Sequence, residues 1–297
     1  MKKILICNAI ILILVLLPLA GASNFLTIDG AGDIQSNSIE QDFTHTVLVE
    51  FGTMTTCPYC VTAAGQLNSI YNSGDLDFHY VSLVWDAANL NVRDRLKELK
   101  VGNVPDVHFD GQYQHILGAK TDEQPYRNAI NESGMRAVPD IDIDIDVTWM
   151  GLGTLKIVIN VINNGPETFN GHLRTYVVEK VSRWDDYSGN HYNYAALDIP
   201  LDKNLAVAGI NEPKKLGGNY TFSKTWYGGL LGFFDIKKEN IKVTAAVFDK
   251  DTDYIIETAS ALPMSASNSN MPYIFLLFEK IINNFPILRI LNNRFLL

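Results

Sequence analysis

The period of the hydrophobic pattern changes at Val138-Pro139, and this change constrains the fold more than any other feature. Between Thr46 and Arg136, apolar β-rich runs alternate with segments in which apolar residues have helical spacing. After Pro139 the apolar residues recur at every second position, which is typical of half-buried strands. The sequence therefore predicts an α/β segment followed by an all-β segment.

Residues 45–138 are predicted to form an α/β domain with a mixed sheet in the order β-α-β-α-β-β-α. The runs TVLVEF and FHYVSLVW have strand composition, whereas the segments that begin near Cys60 and Leu90 have helical spacing. Asp110-Gly111, within PDVHFDGQYQHILGA, indicates a hairpin turn. The last run, TDEQPYRNAINESGMR, is predicted to close the domain as a helix.

Residues 139–262 are predicted to form an all-β sandwich of the immunoglobulin-like kind. In DIDIDIDVTW the acidic residues would line one solvated strand face. DKDTD indicates a hairpin turn rather than a calcium loop, because Tyr254 stands where the loop needs glycine. A group of aromatic residues is predicted to cover one end of the sandwich, with a sugar- or peptide-binding surface as the alternative: Trp184, Tyr187, Tyr192 and Tyr194.

The first residues, MKKILICNAIILILVLLPLAGAS, are typical of a secretory signal peptide over residues 1–22. Lys2 and Lys3 precede a long apolar run, and cleavage is expected after Ala22; an uncleaved membrane anchor is the alternative. We therefore expect an extracytoplasmic protein, whether secreted, periplasmic or at the cell surface. Loss of Lys2 and Lys3 changes the net charge from −9 to −11, which argues against a nucleic-acid partner.

Three further segments lie outside the two predicted domains. Residues 23–44 form a polar leader and residues 263–272 a flexible linker. Residues 273–297 form an amphipathic tail whose longest apolar run, Ile274 to Phe278, is too short to span a bilayer. The tail is predicted either to contact a membrane surface or partner, or to pack on its own protein.

Cys57 and Cys60 carry the strongest indication of chemistry in the sequence. Cys7 would leave with the signal peptide, so the two cysteines of CPYC can pair only with each other. At the start of a helix, Cys57 would have a lowered pKa, and Cys60 would be placed to resolve a mixed disulfide. A redox-active dithiol is predicted, with an inert structural disulfide as the alternative.

A metal site is the third interpretation of the cysteine pair. It would need four ligands, and only histidines such as His108 and His115 remain to supply them. These two histidines fall on the strands of the predicted hairpin, where other roles are more common. No metal and no other cofactor is therefore expected.

Residues 46–136 resemble a thioredoxin-fold domain, and CPYC resembles the dithiol motif of glutaredoxins. The resemblance implies that Val104 and Pro105 form the family's cis-proline loop, which lies beside the dithiol and binds the substrate backbone. It also implies that Glu50 is a possible proton relay. The segment between Glu50 and the dithiol is one residue longer than the family pattern, and Thr56 replaces the usual aromatic residue.

The whole chain also resembles exported bacterial surface proteins that join such a domain to a β-sandwich, through VLVEFGTMTTCPYC, HYNYAAL and VTAAVFDKDTDYIIETA. The leading hypothesis is an exported thiol–disulfide oxidoreductase that acts on protein or small-molecule disulfides. Cysteine-containing proteins would be its substrates, and a redox partner would recharge the dithiol. The alternative is a non-enzymatic surface or adhesion protein with a structural disulfide.

Overall fold

The computed structural model describes residues 43–211 and 219–266. The predicted signal peptide, nearly all of the leader, most of the linker and the C-terminal tail lie outside these residues. The first half of the described chain contains β1 (Val47–Thr53), α1 (Cys60–Ser73), β2 (Phe78–Val84), α2 (Leu90–Glu98), β3 (Asp106–Phe109), β4 (Gln114–Leu117) and α3 (Gln124–Gly134). The second half contains β5 (Ile141–Gly151), β6 (Thr154–Asn163), β7 (Phe169–Asp185), β8 (His191–Val207), β9 (Asn219–Tyr227), β10 (Ile241–Asp249), β11 (Ile255–Ala261) and β12 (Met264–Ser265).

The local predictions for α1 and the β3–β4 hairpin are confirmed. Helix α1 buries Ala63, Leu67 and Ile70 on one face and ends at Gly74, whose left-handed conformation suits glycine. Strands β3 and β4 are joined through Asp110 and Gly111, which both have positive φ. Short-range residue chemistry therefore determines these elements.

The predicted thioredoxin-like α/β domain followed by a separate immunoglobulin-like sandwich is wrong. Strands from both predicted domains form one eight-stranded mixed sheet in the order β11-β10-β7-β8-β2-β1-β3-β4. The halves join where Ser82 of β2 lies opposite Ala195 of β8, and the Ser82 hydroxyl donates a hydrogen bond to the Asn193 carbonyl at 2.7 Å. The edge of β2, which a free-standing domain would expose, is thus paired with a strand from the other half.

The hydrophobic core crosses the same junction. Helix α2 packs on one face of the large sheet, where it contacts β2 of the first half and β8 of the second half. The fully buried members of this shared core are Leu48, Val81, Leu83, Val92, Leu96, Tyr176, Val178, Ala196, Ala246, Phe248 and Ile255. Because residues of both halves pack against the same face of α2, this core is formed by the two halves together.

A second, four-stranded sheet in the order β12-β5-β6-β9 packs against the part of the large sheet formed by β7, β8 and β10. The two layers therefore share a sandwich core, but one layer continues into the α/β half. Along β5, Asp142, Asp144 and Asp146 are exposed, which confirms the predicted solvated strand face. The DKDTD segment forms the turn between β10 and β11, as predicted.

The aromatic residues predicted to cover the end of the sandwich are divided between cores. Tyr192 is buried against α1 and β1, and Tyr194 packs beside it on the same cluster. Trp184 contacts all three apolar clusters, whereas Tyr187 is exposed. The prediction is therefore wrong for Tyr192 and Tyr194, because β8 carries them across the junction to the first half. None of the helices within the described residues has the length and apolar character needed to cross a membrane.

Glu257 on β11 links the halves and makes stability depend on pH. Its carboxylate accepts hydrogen bonds from the backbone N–H groups of Thr46 and Thr258 at 3.3 and 2.7 Å. Burial raises the pKa of Glu257 from 4.5 to about 7. The folded state therefore binds this proton more tightly than the unfolded state, so the free energy of unfolding should fall as pH rises from 4.5 to about 7.

We expect Glu257→Gln to remove that pH dependence and to be more stable than the wild type above pH 7. Urea unfolding measured at several pH values tests this, with Glu239→Gln at an exposed position as the control. An unchanged pH profile in Glu257→Gln would contradict the assignment.

Candidate functional site

Cys57 and Cys60 form a disulfide with a Cα–Cα distance of 5.4 Å, which confirms the predicted pairing. The residue Cys57 is 8% exposed and Cys60 is completely buried. Both pack into the apolar cluster between α1, β1 and α3. Solvent therefore reaches the disulfide from the Cys57 side.

Hydrogen bonds hold the loop between β1 and α1 in place on the N-terminal side of the disulfide. The backbone N–H and the hydroxyl of Thr55 both donate to the Asp86 carboxylate, at 3.0 and 2.6 Å. The Cys57 N–H donates to the Met54 carbonyl at 3.2 Å and closes a tight turn. Tyr59, 71% exposed, is the N-cap residue of α1. The loop is thus anchored at the ends of two neighbouring parallel strands.

The helix begins at Cys60, where the helical spacing of the sequence begins, and Tyr59 is its N-cap. Cys57 therefore lies two residues before the N-cap, near the start of the helix but not at the cap itself. The Cys60 N–H nevertheless donates to the Cys57 sulfur, with a nitrogen–sulfur distance of 3.1 Å. The sulfur therefore shares, with the Cys57 carbonyl oxygen at 3.3 Å, one of the N–H groups at the start of the helix.

The loop before β3 faces the same sulfur. Val104-Pro105 is a cis peptide, and the Val104 carbonyl oxygen lies 3.7 Å from the Cys57 sulfur. The Pro105 carbonyl accepts the Gly118 N–H at 2.8 Å, which ties this loop to the end of β4. The structure thus brings the two predicted substrate-binding residues to the disulfide.

Glu50 is not brought to the disulfide. Side chains alternate along β1, so Val49 and Phe51 face the cysteine cluster while Glu50 faces α2. Arg95 of α2 binds the carboxylate through two nitrogen–oxygen contacts of 2.8 and 2.7 Å. The Tyr176 hydroxyl donates to the same carboxylate at 2.6 Å. Glu50 therefore belongs to a buried ion pair on the opposite face of the sheet.

Burial alone would raise the pKa of Glu50, but the Arg95 charge and the hydrogen bonds from Arg95 and Tyr176 lower it below 4.5. The carboxylate remains ionised at neutral pH. A proton relay has to exchange protons at that pH, and this arrangement is unsuited to it.

Sequence reasoning missed the contribution of Tyr192 to this site. Its hydroxyl donates to the Met54 carbonyl and accepts from the Thr53 hydroxyl, both at 2.9 Å. Burial raises the pKa of Tyr192 to about 12, so it acts as a neutral hydrogen-bonding group. The Tyr-x-Tyr spacing in HYNYAAL indicates a strand, but a pattern of this kind does not identify the partner strand.

Within residues 43–211 and 219–266, the polar neighbours of the Cys57 sulfur are backbone groups, namely the Cys60 N–H, which donates to it, and the Val104 carbonyl oxygen. His108 and His115 stack on the β3–β4 hairpin with ring centroids 5.5 Å apart. Among the described residues, no three histidine, cysteine or carboxylate side chains are grouped closely enough to hold a metal ion.

No protein-family model matches this chain, and a search of curated proteins finds no match. HBP35 of Porphyromonas gingivalis is similar in structure, with a TM-score of 0.55 and 11% identity over 78% of this chain and 79% of that chain. A structural-genomics target from Agrobacterium tumefaciens has a TM-score of 0.43 and 12% identity over 75% of this chain and 97% of that one. A domain of the outer membrane lipoprotein Omp28 from Porphyromonas gingivalis has a TM-score of 0.22 and 15% identity, over 44% of this chain and 96% of that one.

The likeness to HBP35 supports the overall path of the chain, since it covers more than three quarters of both proteins.

Proposed function

We propose that the protein is an exported thiol–disulfide oxidoreductase that works through Cys57 and Cys60. The observation that carries the proposal is the 3.1 Å hydrogen bond from the Cys60 N–H to the Cys57 sulfur. In the reduced protein the same N–H would stabilise a Cys57 thiolate, and the thiolate is the reactive form of cysteine. The greater exposure of Cys57 makes it the attacking residue and Cys60 the resolving residue.

The chemistry balances with two electrons. The Cys57 thiolate attacks a substrate disulfide, forms a mixed disulfide and releases one substrate thiolate, which takes a proton from water. Cys60 loses its proton to solvent and attacks the Cys57 sulfur. The second substrate thiolate leaves and is protonated, and the 57–60 disulfide is restored. With a substrate dithiol the same steps run in reverse, so a redox partner has to recharge the pair in either direction.

The cis Val104-Pro105 loop is suited to hold the substrate chain. The Val104 carbonyl oxygen lies 3.7 Å from the Cys57 sulfur, which is the attacking atom. A backbone N–H of an extended substrate next to its cysteine could donate to this carbonyl, as strands do in a sheet. A contact of this kind involves the substrate backbone and does not depend on its side chains. It therefore allows cysteine-containing proteins of different sequence to be substrates.

Export is part of the proposal. The N-terminal residues have the composition of a secretory signal, and oxidising compartments are where disulfides persist. The predicted membrane-surface contact of residues 273–297 stays a prediction, since those residues lie outside the described part of the chain.

We expect Cys57→Ser to lose the reductase activity of the wild type, measured with insulin as substrate in the presence of dithiothreitol. Cys60→Ser should instead accumulate a mixed disulfide through Cys57, because the resolving thiol is missing. Alkylation of the reduced protein against pH should show a Cys57 pKa below the ordinary value of about 8.5. Tyr59→Ala, an exposed change between the cysteines, serves as the control and should retain the dithiol chemistry.

A second candidate function rests on the burial of the pair. With Cys57 only 8% exposed and Cys60 fully buried, the disulfide is also compatible with a structural role in a non-enzymatic surface or adhesion protein. Structural disulfides of secreted proteins typically have a reduction potential below about −300 mV, which makes them resistant to reduction by the glutathione pool. A potential in that range, together with wild-type activity no greater than that of Cys57→Ser, would replace the first proposal by the second.

A further inference from the structure

Two lysines on the face of the large sheet opposite the sandwich core have no carboxylate partner among the described residues. Lys242 of β10 is 9% exposed, and Lys180 of β7 lies close enough to repel it. Neither lysine forms an ion pair within residues 43–211 and 219–266. Buried cations normally pair with acids, so the position of the Lys242 ammonium group needs an explanation.

A cavity of about 370 Å³ opens beside the two lysines. It lies at the junction of the halves, where β2 and β8 share one registered pair instead of a continuous ladder. Tyr71 and Tyr194 form its aromatic wall, and Leu262 lies at its rim. The walls are therefore largely apolar, while Lys242 and Lys180 supply positive charge. We refer to this space as the lysine–tyrosine cavity.

The hydrogen bonds of Lys242 leave part of its donor capacity unused. Its ammonium group lies 2.9 Å from the Tyr71 hydroxyl and 3.4 Å from the Nδ1 of His79. It also lies 5.4 Å from the centres of the Tyr71 and Tyr194 rings. An ammonium group has three N–H donors, so at least one remains for a ligand in the cavity.

Tyr194, which forms part of the cavity wall, has a strained backbone conformation. Its φ of +52° lies in the left-handed region, which bulky residues rarely occupy. This conformation accompanies a ring placed 4.9 Å from Tyr71 and 5.0 Å from Tyr80. Strain of this kind persists where the surrounding structure imposes it, and it concentrates at binding and catalytic sites.

In the part of the chain that the structure describes, the titratable side chains that line the cavity include no group that is negatively charged at neutral pH. Burial, and secondarily Lys180, lower the pKa of Lys242 to about 8. Burial and then the Lys242 charge lower the pKa of His79 to about 3, so this imidazole is neutral at physiological pH. Burial raises the pKa of Tyr194 to about 12 and that of Tyr71 above 10, so neither phenol supplies an anion.

We propose that the lysine–tyrosine cavity binds a small organic carboxylate, whose apolar body lies against Tyr71, Tyr194 and Leu262 and whose charge lies between Lys242 and Lys180. The ligand would supply the carboxylate that residues 43–211 and 219–266 do not place there. An apolar body is needed because a bare inorganic anion would leave the aromatic wall uncovered. The site is separate from the disulfide, so the proposal does not depend on the redox function.

Calorimetric titration of the full chain with benzoate tests the proposal, with benzamide as the uncharged probe and inorganic phosphate as the anion without an apolar body. We expect saturable benzoate binding and binding of benzamide weaker by about tenfold or more, since a charge-assisted hydrogen bond is about twice as strong as a neutral one. Phosphate should also bind about tenfold more weakly or worse, because it has no apolar body to cover the aromatic wall. Lys242→Met keeps the apolar stem but removes the charge, and should weaken benzoate binding by about tenfold. Lys156→Met, at an exposed position on β6, is the matched control.

Lys180→Met provides a second variant at a half-buried position, where loss of the charge should also weaken benzoate binding while the fold is retained. Benzoate affinity should further fall as pH rises above 8, because Lys242 then loses its proton. Absence of saturable binding by both benzoate and hexanoate would overturn the proposal. Equal affinity for benzoate and benzamide, or unchanged benzoate affinity in both Lys242→Met and Lys180→Met, would overturn it as well.

Discussion

Replacing Glu50 by glutamine is expected to lower the free energy of unfolding by about 3–5 kcal/mol, because it removes one partner of a buried ion pair. Glu50 is fully buried, and the Arg95 side chain that binds it is 1% exposed. In the variant the guanidinium would stay in the core with only its 3.2 Å contact to the exposed Glu98 carboxylate as a countercharge. The Tyr176 hydroxyl would also exchange a charged acceptor for a neutral one.

Urea unfolding followed by circular dichroism measures this loss at neutral pH. Asp94→Asn is the matched control, since Asp94 pairs with Lys97 on the surface of the same helix and such pairs contribute about 0–1 kcal/mol. A loss below about 1 kcal/mol in Glu50→Gln would contradict the central role of the buried pair. Because the folded pKa of Glu50 is lowered, its stabilisation is present above pH 4.5 and is lost as pH falls through the folded value.

The ion pair also shows where sequence reasoning stops. A lone Glu50 in an apolar strand indicates a functional or paired acid, but its partners lie 45 and 126 residues away on α2 and β7. The resemblance to a redox family favoured the functional reading. The structure gives the residue a packing role that depends on a tertiary contact, and periodicity does not reveal such contacts.

The local elements, by contrast, follow from short-range chemistry. Gly74 ends α1, Asn89 caps α2 by accepting the Val92 N–H at 3.1 Å, and Asp110-Gly111 turns the hairpin. The pairing of Cys57 with Cys60 could be predicted because the sequence has three cysteines and the third, Cys7, lies in the predicted signal peptide. What could not be predicted is which strand covers the edge of β2, since alternation fixes the buried face of a strand and not its neighbour.

The pairing of β2 with β8 leads to a second prediction. We expect residues 43–138, produced alone, not to fold cooperatively. The fragment would expose the parts of Leu48, Val81, Leu83 and the apolar face of α2 that share a core with β7, β8 and β10 in the whole chain. Each such side chain contributes about 1.5–3 kcal/mol when fully buried. Exposing several of them removes an amount comparable with the whole stability of a domain, which is about 5–15 kcal/mol.

Amide dispersion in two-dimensional NMR and the coincidence of circular dichroism and tryptophan fluorescence during urea unfolding measure the outcome. Residues 43–266 as one chain are the control and should unfold in one transition. Fragments 43–138 and 139–266 produced together should associate, since the shared core and the Ser82–Ala195 junction can then re-form. A single sharp transition in the isolated fragment 43–138 would mean that its own packing suffices. The core shared through α2 would then be an interface between two independent domains rather than the interior of one.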